Sequence, residues 1–202
     1  PIETVGTSPL SGTIALAMSS GFGVGGSAFR TVKDKAMLVD TIAFPAYTRA
    51  AVKVAGPLDE ELVRNQDDEY NYRLRKLGFR LLLAPDVRSK YYSRISLRSL
   101  WRQYYQYGFY KVRVLQKHPR QMRLRQFVPP AFVATILGGV LLSLYSKIVR
   151  RLGGLAASAY AVANLFAGWR IARKAGYEHL WRLPVVFSIL HFSYGLGFLH
   201  GL

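Results

Sequence analysis

The pattern of hydrophobic and polar positions changes twice along the chain of 202 residues and divides it into three regions. In residues 1–95, short apolar runs alternate with polar turns, which is typical of mixed α/β structure. In residues 96–126, leucines and aromatic residues recur at helical spacing with arginines between them. In residues 127–202, apolar runs without charge dominate. We therefore predict an α/β part, a basic helical part and a transmembrane part.

The first region contains start and stop signals for several short elements. Gly56 and Pro57 end one predicted helix, and Asn65 is a plausible N-cap for another that ends before Gly78. Residues 21–26 (GFGVGG) formally match G-x-G-x-x-G, but no clear strand precedes them, so we expect a flexible loop and not a dinucleotide site. The predicted elements are helices over 10–19, 49–55 and 66–77 and strands over 39–47 and 79–84, which amount to half of an α/β sheet.

Ser96 begins the second region and is expected to cap a helix over 97–116. Its apolar positions include Leu100 and Trp101, with arginines largely between them. Such a helix suits the plane of a membrane interface, and its periodicity fits equally well an amphipathic helix docked on the domain. The basic segment 117–125 that follows favours the membrane.

The third region contains three segments without Asp, Glu, Lys or Arg. Residues 127–145 and 183–202 approach the length of about 20 residues that a helix needs to cross a bilayer. Residues 152–169 are a weaker candidate because they are rich in Ala and Gly, although small residues allow neighbouring helices to pack closely. We predict two or three transmembrane helices. The connectors 146–151 and 170–182 are both positive, so the positive-inside rule leaves the topology open.

The net charge of +17 comes entirely from the second half of the chain. Residues 1–86 contain ten Lys and Arg against ten Asp and Glu, whereas residues 87–202 contain eighteen against one. A basic excess is typical of nucleic-acid binding or of an anionic membrane surface, and the adjacent apolar runs favour the membrane. The absence of cysteine excludes disulfides and thiolate metal sites.

Three consecutive acids, Asp67, Asp68 and Glu69, begin the helix predicted after Asn65. Alone, such a cluster most simply serves the helix dipole. The functional alternative is that one carboxylate extends from the helix N-terminus into a cleft as a general base. Local backbone amides and the dipole would then favour its ionised form, which a base requires.

The order of motifs resembles the second half of a family 2 glycosyltransferase of the GT-A fold. In particular, it is similar to bacterial exopolysaccharide transferases of the succinoglycan-biosynthesis type. The motifs are GFGVGG at 21–26, VDT at 39–41, AAVKVAGPLDEE at 50–61, NQDDEYNYRL at 65–74, Gly78, and HFSYGLG at 191–197. The resemblance implies the C-terminal, acceptor-side half of a GT-A domain over 1–95, an interfacial helix region over 96–126 and a transmembrane region over 127–202.

The resemblance also implies roles for individual residues. The family usually carries Glu-Asp, one spacer, an acid, Leu, two spacers and Arg. Here Asp67 falls on the position of the catalytic base, while Gln66 replaces the usual Glu and Tyr70 the usual Leu. The further residues expected to bind acceptor or substrate in this segment are Asp68, Glu69 and Arg73.

A second family motif, Gln-x-x-Arg-Trp, lies at the mouth of the acceptor channel in processive members. Gln103, Gln106 and Tyr107 occupy the corresponding place, and we expect them to bind substrate. Gln106 does not supply the cation that would contact a diphosphate, unless Arg102 or Lys111 replaces it. The departure favours transfer of a single sugar over processive synthesis. A belt of interfacial tyrosines is the alternative explanation for the aromatic residues.

The nucleotide-binding half that the family carries is not found in this sequence. Family members hold the nucleotide-sugar and a divalent metal, Mg²⁺ or Mn²⁺, through a first half that ends in Asp-x-Asp, and no Asp-x-Asp occurs here. We therefore expect the chain to be a piece of a longer protein, inactive by itself, with no metal ligands of its own. The implied partners are a nucleotide-sugar donor, a lipid-linked or polysaccharide acceptor, and the inner membrane, with the catalytic part cytoplasmic.

Two other classes of function remain as alternatives. A non-enzymatic membrane-interface protein would bind anionic lipid through the basic, tyrosine-rich helix, and its vesicle binding would weaken with salt. A nucleic-acid binder would need its basic residues free of membrane segments, which the run 127–145 argues against.

Overall fold

The computed structural model describes residues 1–142 and 145–202, and in this part of the chain helices surround two small sheets. The strands are β1 (Ile2–Val5), β2 (Met37–Val39), β3 (Leu81–Leu83) and β4 (Ser89–Tyr92). The helices are α1 (Pro9–Met18), α2 (Gly21–Val24), α3 (Ala28–Thr31), α4 (Arg49–Ala55), α5 (Gln66–Lys76), α6 (Leu97–Lys117), α7 (Leu124–Leu142), α8 (Lys147–Ala175) and α9 (Arg182–Gly201). Short 3₁₀ turns occur at Pro119–Gln121 and Tyr177–His179.

Each described sheet has two strands. Strand β1 pairs in parallel with β4, and β2 pairs antiparallel with β3. The strand predicted over 79–84 is confirmed in shorter form as β3, but the strand predicted over 39–47 was wrong in extent, because β2 ends at Val39. Beyond it, Phe44 has a positive φ of 55°, and Pro45 has no N–H to donate to a ladder.

The glycine-rich stretch is not the flexible loop that the sequence predicted. It contains a helical turn, α2, which begins after Ser20, and the Ser20 hydroxyl accepts a hydrogen bond from the Gly23 N–H at 3.1 Å. A Cβ at Gly23 would collide with the carbonyl of Ala17, so glycine lets α2 pack directly on α1. Gly25 and Gly26, with φ of 62° and 71°, then lead the chain out of the turn.

Helices α4 and α5 form a unit with a small core of its own. The predicted helix 49–55 is confirmed as α4, and the helix predicted over 66–77 is confirmed as α5. Ala51, Tyr70 and Leu74 are buried together between the two helices. The Tyr70 hydroxyl donates to the Gly56 carbonyl oxygen at 3.0 Å, which ties α5 to the end of α4.

The main hydrophobic core joins the beginning of the chain to its end. Ile14 and Met18 of α1, Leu100 of α6, and Phe187 and Leu190 of α9 are buried in one cluster. A helix of the first region therefore packs directly on the last helix of the third. Burial of these side chains provides much of the stability, at about 1.5–3 kcal/mol for each large apolar side chain.

Helices α6 and α9 lie against each other along their length. The Ser96 cap of α6 is confirmed, because the Ser96 hydroxyl accepts from the Ser99 N–H at 3.2 Å. A Cβ at Gly108 of α6 would overlap the carbonyl oxygen of Tyr194 on α9. The structure thus docks α6 on α9; an orientation of α6 in the plane of a membrane stays a prediction.

Two of the described helices, α7 and α9, are long and apolar enough to cross a membrane, each with a mean hydropathy of 1.4. They match the predicted segments 127–145 and 183–202, except that residues 143 and 144 lie outside the described residues. The weaker segment 152–169 lies within α8, which does not meet the same test of length and composition. By length and composition, α7 and α9 are candidates for crossing a membrane.

Candidate active site

The beginning of α5 is fixed against the middle of α6. Asn65 has a left-handed backbone with φ of 64° and turns the chain into α5. Its side chain does not cap the helix but donates to the Tyr107 carbonyl oxygen at 3.1 Å. On the other side of α5, the Asn71 amide donates to the Ile42 carbonyl oxygen at 2.7 Å. These contacts set the direction in which the first turn of α5 presents its acids.

Asp67 lies in the first turn of α5, is half-buried and lines a groove. Its Oδ1 accepts a hydrogen bond from the Asp68 backbone N–H at 2.9 Å. Among the described residues, no Lys, Arg or His forms an ion pair with it, in contrast to both acids that follow. Asp67 is therefore a carboxylate that faces open space without a cation of its own.

Burial raises the pKa of Asp67, and the charge of Asp68 acts in the same direction, against the backbone N–H groups and the charge of Lys111. As predicted, the backbone N–H groups at the helix N-terminus favour the ionised form, but removal of the carboxylate from water outweighs them and raises the pKa of Asp67 overall. A raised pKa makes the ionised carboxylate a stronger base, which suits general-base chemistry near neutral pH.

The next two acids of α5 are both paired. Asp68 forms an ion pair with the buried Lys111 of α6 and accepts a hydrogen bond from Gln121 at 2.9 Å. Glu69 is buried, and its Oε1 lies 2.7 Å from the Arg73 Nε and 2.9 Å from the His118 Nε2. Their carboxylates therefore face protein cations, and their predicted role in substrate binding stays a prediction.

The groove that Asp67 lines has a volume of about 590 Å³ and extends from α5 and α6 toward α7, α8 and α9. Its polar end is lined by Asp67, Asp68, Lys111, Asn65 and Thr41, and the cations Arg30 and Arg125 also line the groove. Its other end is lined mainly by apolar and aromatic side chains, including Phe22, Val128, Pro129, Phe132, Tyr160 and Leu190. Helices α7 and α9, the two apolar helices described above, both contribute to this second end.

Arg73, predicted to bind substrate, contacts the end of α4 in this structure. Its guanidinium donates to the carbonyl oxygens of Ala55 at 2.7 Å and Pro57 at 2.8 Å. These bonds satisfy carbonyls that the end of a helix leaves without partners. The structure does not bring Arg73 into the groove lining, and its predicted contact with substrate stays a prediction.

Gln103 and Gln106, two of the three residues predicted at the second motif, face a different cavity, also of about 590 Å³. The Gln103 amide donates to the Tyr91 and Tyr107 hydroxyls at 2.7 and 2.8 Å. Tyr107 lines the groove, so this hydrogen bond joins the walls of the two cavities. The remaining residues that line the second cavity are Arg64, Arg94, Ser96, Arg98, Ser99 and Arg102.

The second cavity contains a cation that can replace the arginine missing at Gln106. Of the two cations considered as replacements for the missing motif arginine, Lys111 is engaged by Asp68, whereas Arg102 lines the same cavity as Gln106. The Arg64 Nε donates to the Gln106 Oε1 at 3.1 Å, which holds a further cation there. Sequence reasoning missed Arg64, because it precedes α5 and reaches Gln106 only through the tertiary fold.

Comparison with known proteins adds two relatives. Over 199 residues the chain is 31% identical to the succinoglycan biosynthesis protein ExoA of Rhizobium meliloti, covering 98% of this chain and 58% of ExoA. Over 179 residues it is 26% identical to a Methanococcus voltae protein, dolichyl N-acetyl-alpha-D-glucosaminyl phosphate 3-beta-D-2,3-diacetamido-2,3-dideoxy-beta-D-glucuronosyltransferase, covering 88% of this chain and 51% of the relative.

The chain is related to glycosyltransferases. The relationship is of modest identity, and the chain spans only 51 to 58% of the length of these relatives. No family profile matches the chain, and no solved structure matches it significantly.

No cluster of metal ligands is present in the described part of the chain. Residues 1–142 and 145–202 contain no group of three or more His, Asp or Glu side chains placed to hold a metal ion. The nearest carboxylates to Asp67 along α5 are engaged by cations, as described above. The divalent metal expected in the full-length protein, with its ligands outside this chain, stays a prediction.

Proposed function

We propose that this chain forms the acceptor-side part of a membrane-bound, family 2 glycosyltransferase of the GT-A type. The full-length protein would transfer one sugar, with inversion, from a nucleotide-sugar to a lipid-linked acceptor in polysaccharide biosynthesis. Its catalytic part would face the cytoplasm at the inner membrane. The observation that carries the proposal is that Asp67 lines the groove without a cation, whereas Asp68 and Glu69 are both paired.

Asp67 acts as the general base in this proposal. It removes the proton from the acceptor hydroxyl as that oxygen bonds to the anomeric carbon of the donor sugar. The bond between the anomeric carbon and the diphosphate breaks, and the diphosphate leaves with the electron pair. A positioned base contributes a factor of about 10² to 10⁴ to the rate. The raised pKa of Asp67 increases its basicity while leaving it ionised above that pKa.

The shape of the groove supports a lipid-linked acceptor. Its polar end contains Asp67, and its apolar end lies among α7, α8 and α9, where Phe132 and Leu190 line it. An acceptor with a hydrocarbon chain would place the chain at the apolar end and its sugar near the base. The name of the Methanococcus voltae relative specifies a dolichyl-linked sugar phosphate, which is an acceptor of this chemistry.

The second cavity supports a site for the donor diphosphate. Arg64, Arg94, Arg98 and Arg102 line it, and no Asp or Glu of the described residues does. Guanidinium groups bind phosphate oxygens in bidentate geometry, so Arg102 supplies the charge that Gln106 lacks. The expected divalent metal would add further stabilisation of the diphosphate charge in the full-length protein.

The test is the activity of Asp67→Asn in the full-length protein, assayed in membranes by transfer of labelled sugar to a lipid extract. Asparagine keeps the shape of the side chain but does not accept the proton. We expect turnover to fall about 10² to 10⁴-fold, while binding of the nucleotide-sugar stays measurable.

The matched control is Asp86→Asn, which removes an exposed carboxylate outside the groove and should leave turnover unchanged. Turnover of Asp67→Asn within a factor of two of wild type would mean that the base lies elsewhere.

A further inference from the structure

Arg30 is a buried cation without a partner. It lies in α3, lines the groove and is only 8% exposed. Its Nη1 is fully buried, and among residues 1–142 and 145–202 no acceptor bonds to it and no carboxylate pairs with the guanidinium. Charged side chains are almost never this buried unless they are paired.

The neighbours of Arg30 are aromatic and neutral. The guanidinium lies over the rings of Phe29 and Tyr91, 5.5 and 5.1 Å from their centroids. Two further tyrosines of the groove, Tyr104 and Tyr107, do not supply a negative charge, because burial raises the pKa of both hydroxyls. Ring contacts favour a cation but do not replace its hydrogen bonds to water.

The carboxylates of the groove do not neutralise Arg30 either. Asp68 pairs with Lys111, and Asp67 forms no described ion pair. A buried charge without a compensating partner is unfavourable, so Arg30 destabilises the empty groove. An anion bound in the groove would remove this cost.

The groove itself indicates which kind of anion binds. The planar guanidinium group forms two parallel hydrogen bonds with the oxygens of a phosphate or a carboxylate. The same groove continues into an apolar end lined by Phe22, Phe132 and Leu190, which a free phosphate would leave empty. A phosphate carried on a hydrocarbon chain fits both ends at once.

We propose that Arg30 binds the phosphate or diphosphate headgroup of a lipid whose chain occupies the apolar end of the groove. The inference rests on the proposed function only in taking that lipid as the carrier of the acceptor. In that role Arg30 is a positioning residue, which holds the carrier so that its sugar lies near Asp67.

The test is direct binding to the full-length protein in detergent, without turnover. The probes are farnesyl diphosphate, farnesol and inorganic pyrophosphate, and the variant is Arg30→Gln. We expect farnesyl diphosphate to bind more tightly than either other probe, and Arg30→Gln to weaken it about ten- to a hundredfold with farnesol unchanged. The matched control, Arg120→Gln, removes an exposed arginine outside the groove and should bind like wild type.

A second measurement keeps the test independent of any folding defect. Because glutamine removes the unpaired charge, Arg30→Gln should melt at a higher temperature than wild type without ligand and gain less stability from farnesyl diphosphate. Unchanged farnesyl diphosphate binding in Arg30→Gln would overturn the proposal, as would pyrophosphate binding as tightly as the lipid. Because no sugar is transferred in this assay, its outcome is independent of the role of Asp67.

Discussion

The first turn of α5 is polar and faces a groove, whereas the contact between α6 and α9 is apolar and closely packed. Both regions adjoin α6. Along α6 and α9 apolar side chains and glycines bring the two backbones together without gaps. At the first turn of α5, two carboxylates, Asp67 and Asp68, line an open groove, and Asp67 forms no ion pair among the described residues. The packed contact provides rigidity, and the polar turn provides the reactive group that this rigidity holds in place.

The largest loss of stability should come from Lys111→Met, which removes the cation that α6 provides to Asp68. The Asp68 carboxylate would then remain largely buried without a cation, although it would keep the hydrogen bond from Gln121. Breaking such a pair costs about 3–5 kcal/mol, which thermal or denaturant unfolding of the purified protein will measure. Arg88→Met is the control, since Arg88 and its partner Asp34 are both exposed, and it should change stability far less.

Gly197→Ala should produce the next largest effect by separating α6 from α9. The added methyl group would overlap the backbone carbonyl of Tyr105, which has no flexible side chain to move aside. Overpacking of this kind costs about 1–3 kcal/mol, and backbone contact places the change at the upper end. The melting temperature should fall accordingly.

Gly154→Ala is the control for that change. Gly154 lies in α8 with open space around its Cβ position, so alanine there should be tolerated or slightly stabilising because of its helix propensity. Equal melting temperatures for the Gly197 and Gly154 variants would contradict a close contact between α6 and α9.

The smallest expected change in stability is that of Asp67→Asn, which tests directly whether the groove carboxylate is charged and partly buried. Because burial raises the pKa of Asp67 in the folded state, its ionised form opposes folding at neutral pH. The variant should therefore melt higher than wild type at pH 7–8. The difference should shrink as the pH falls through the folded pKa, where native Asp67 takes up its proton. Thermal unfolding from pH 4 to 8 will measure this, and an Asp67→Asn protein less stable than wild type at pH 8 would argue against the burial of its charge.

The sequence predicted the elements whose signals are local. Ser96 and Gly56 mark helix ends with backbone hydrogen bonds to near neighbours, and both predictions are confirmed. Strands β1 and β4 were missed, since they pair residues near the start of the chain with residues 89–92. Each strand is too short to show a clear alternation by itself.

At the candidate site, too, some features follow from local sequence and others depend on the tertiary fold. The position of Asp67 at the start of a helix followed from its neighbours in sequence, whereas the direction of its pKa shift depends on burial by distant elements. The same holds for Arg30, whose lack of a partner becomes visible only when the groove is assembled. Local pattern thus locates the reactive groups, and the tertiary environment determines their charge.

Helix α6 carries Lys111, which pairs with Asp68, and one turn earlier Gly108, which packs against α9. If α9 spans the bilayer, its tilt follows the thickness of the hydrocarbon layer. The tight backbone contact would pass that tilt to α6 and so to the acids beside the groove. We therefore expect the rate of sugar transfer to depend on the acyl-chain length of the surrounding phospholipids, with an optimum where α9 is matched to the bilayer.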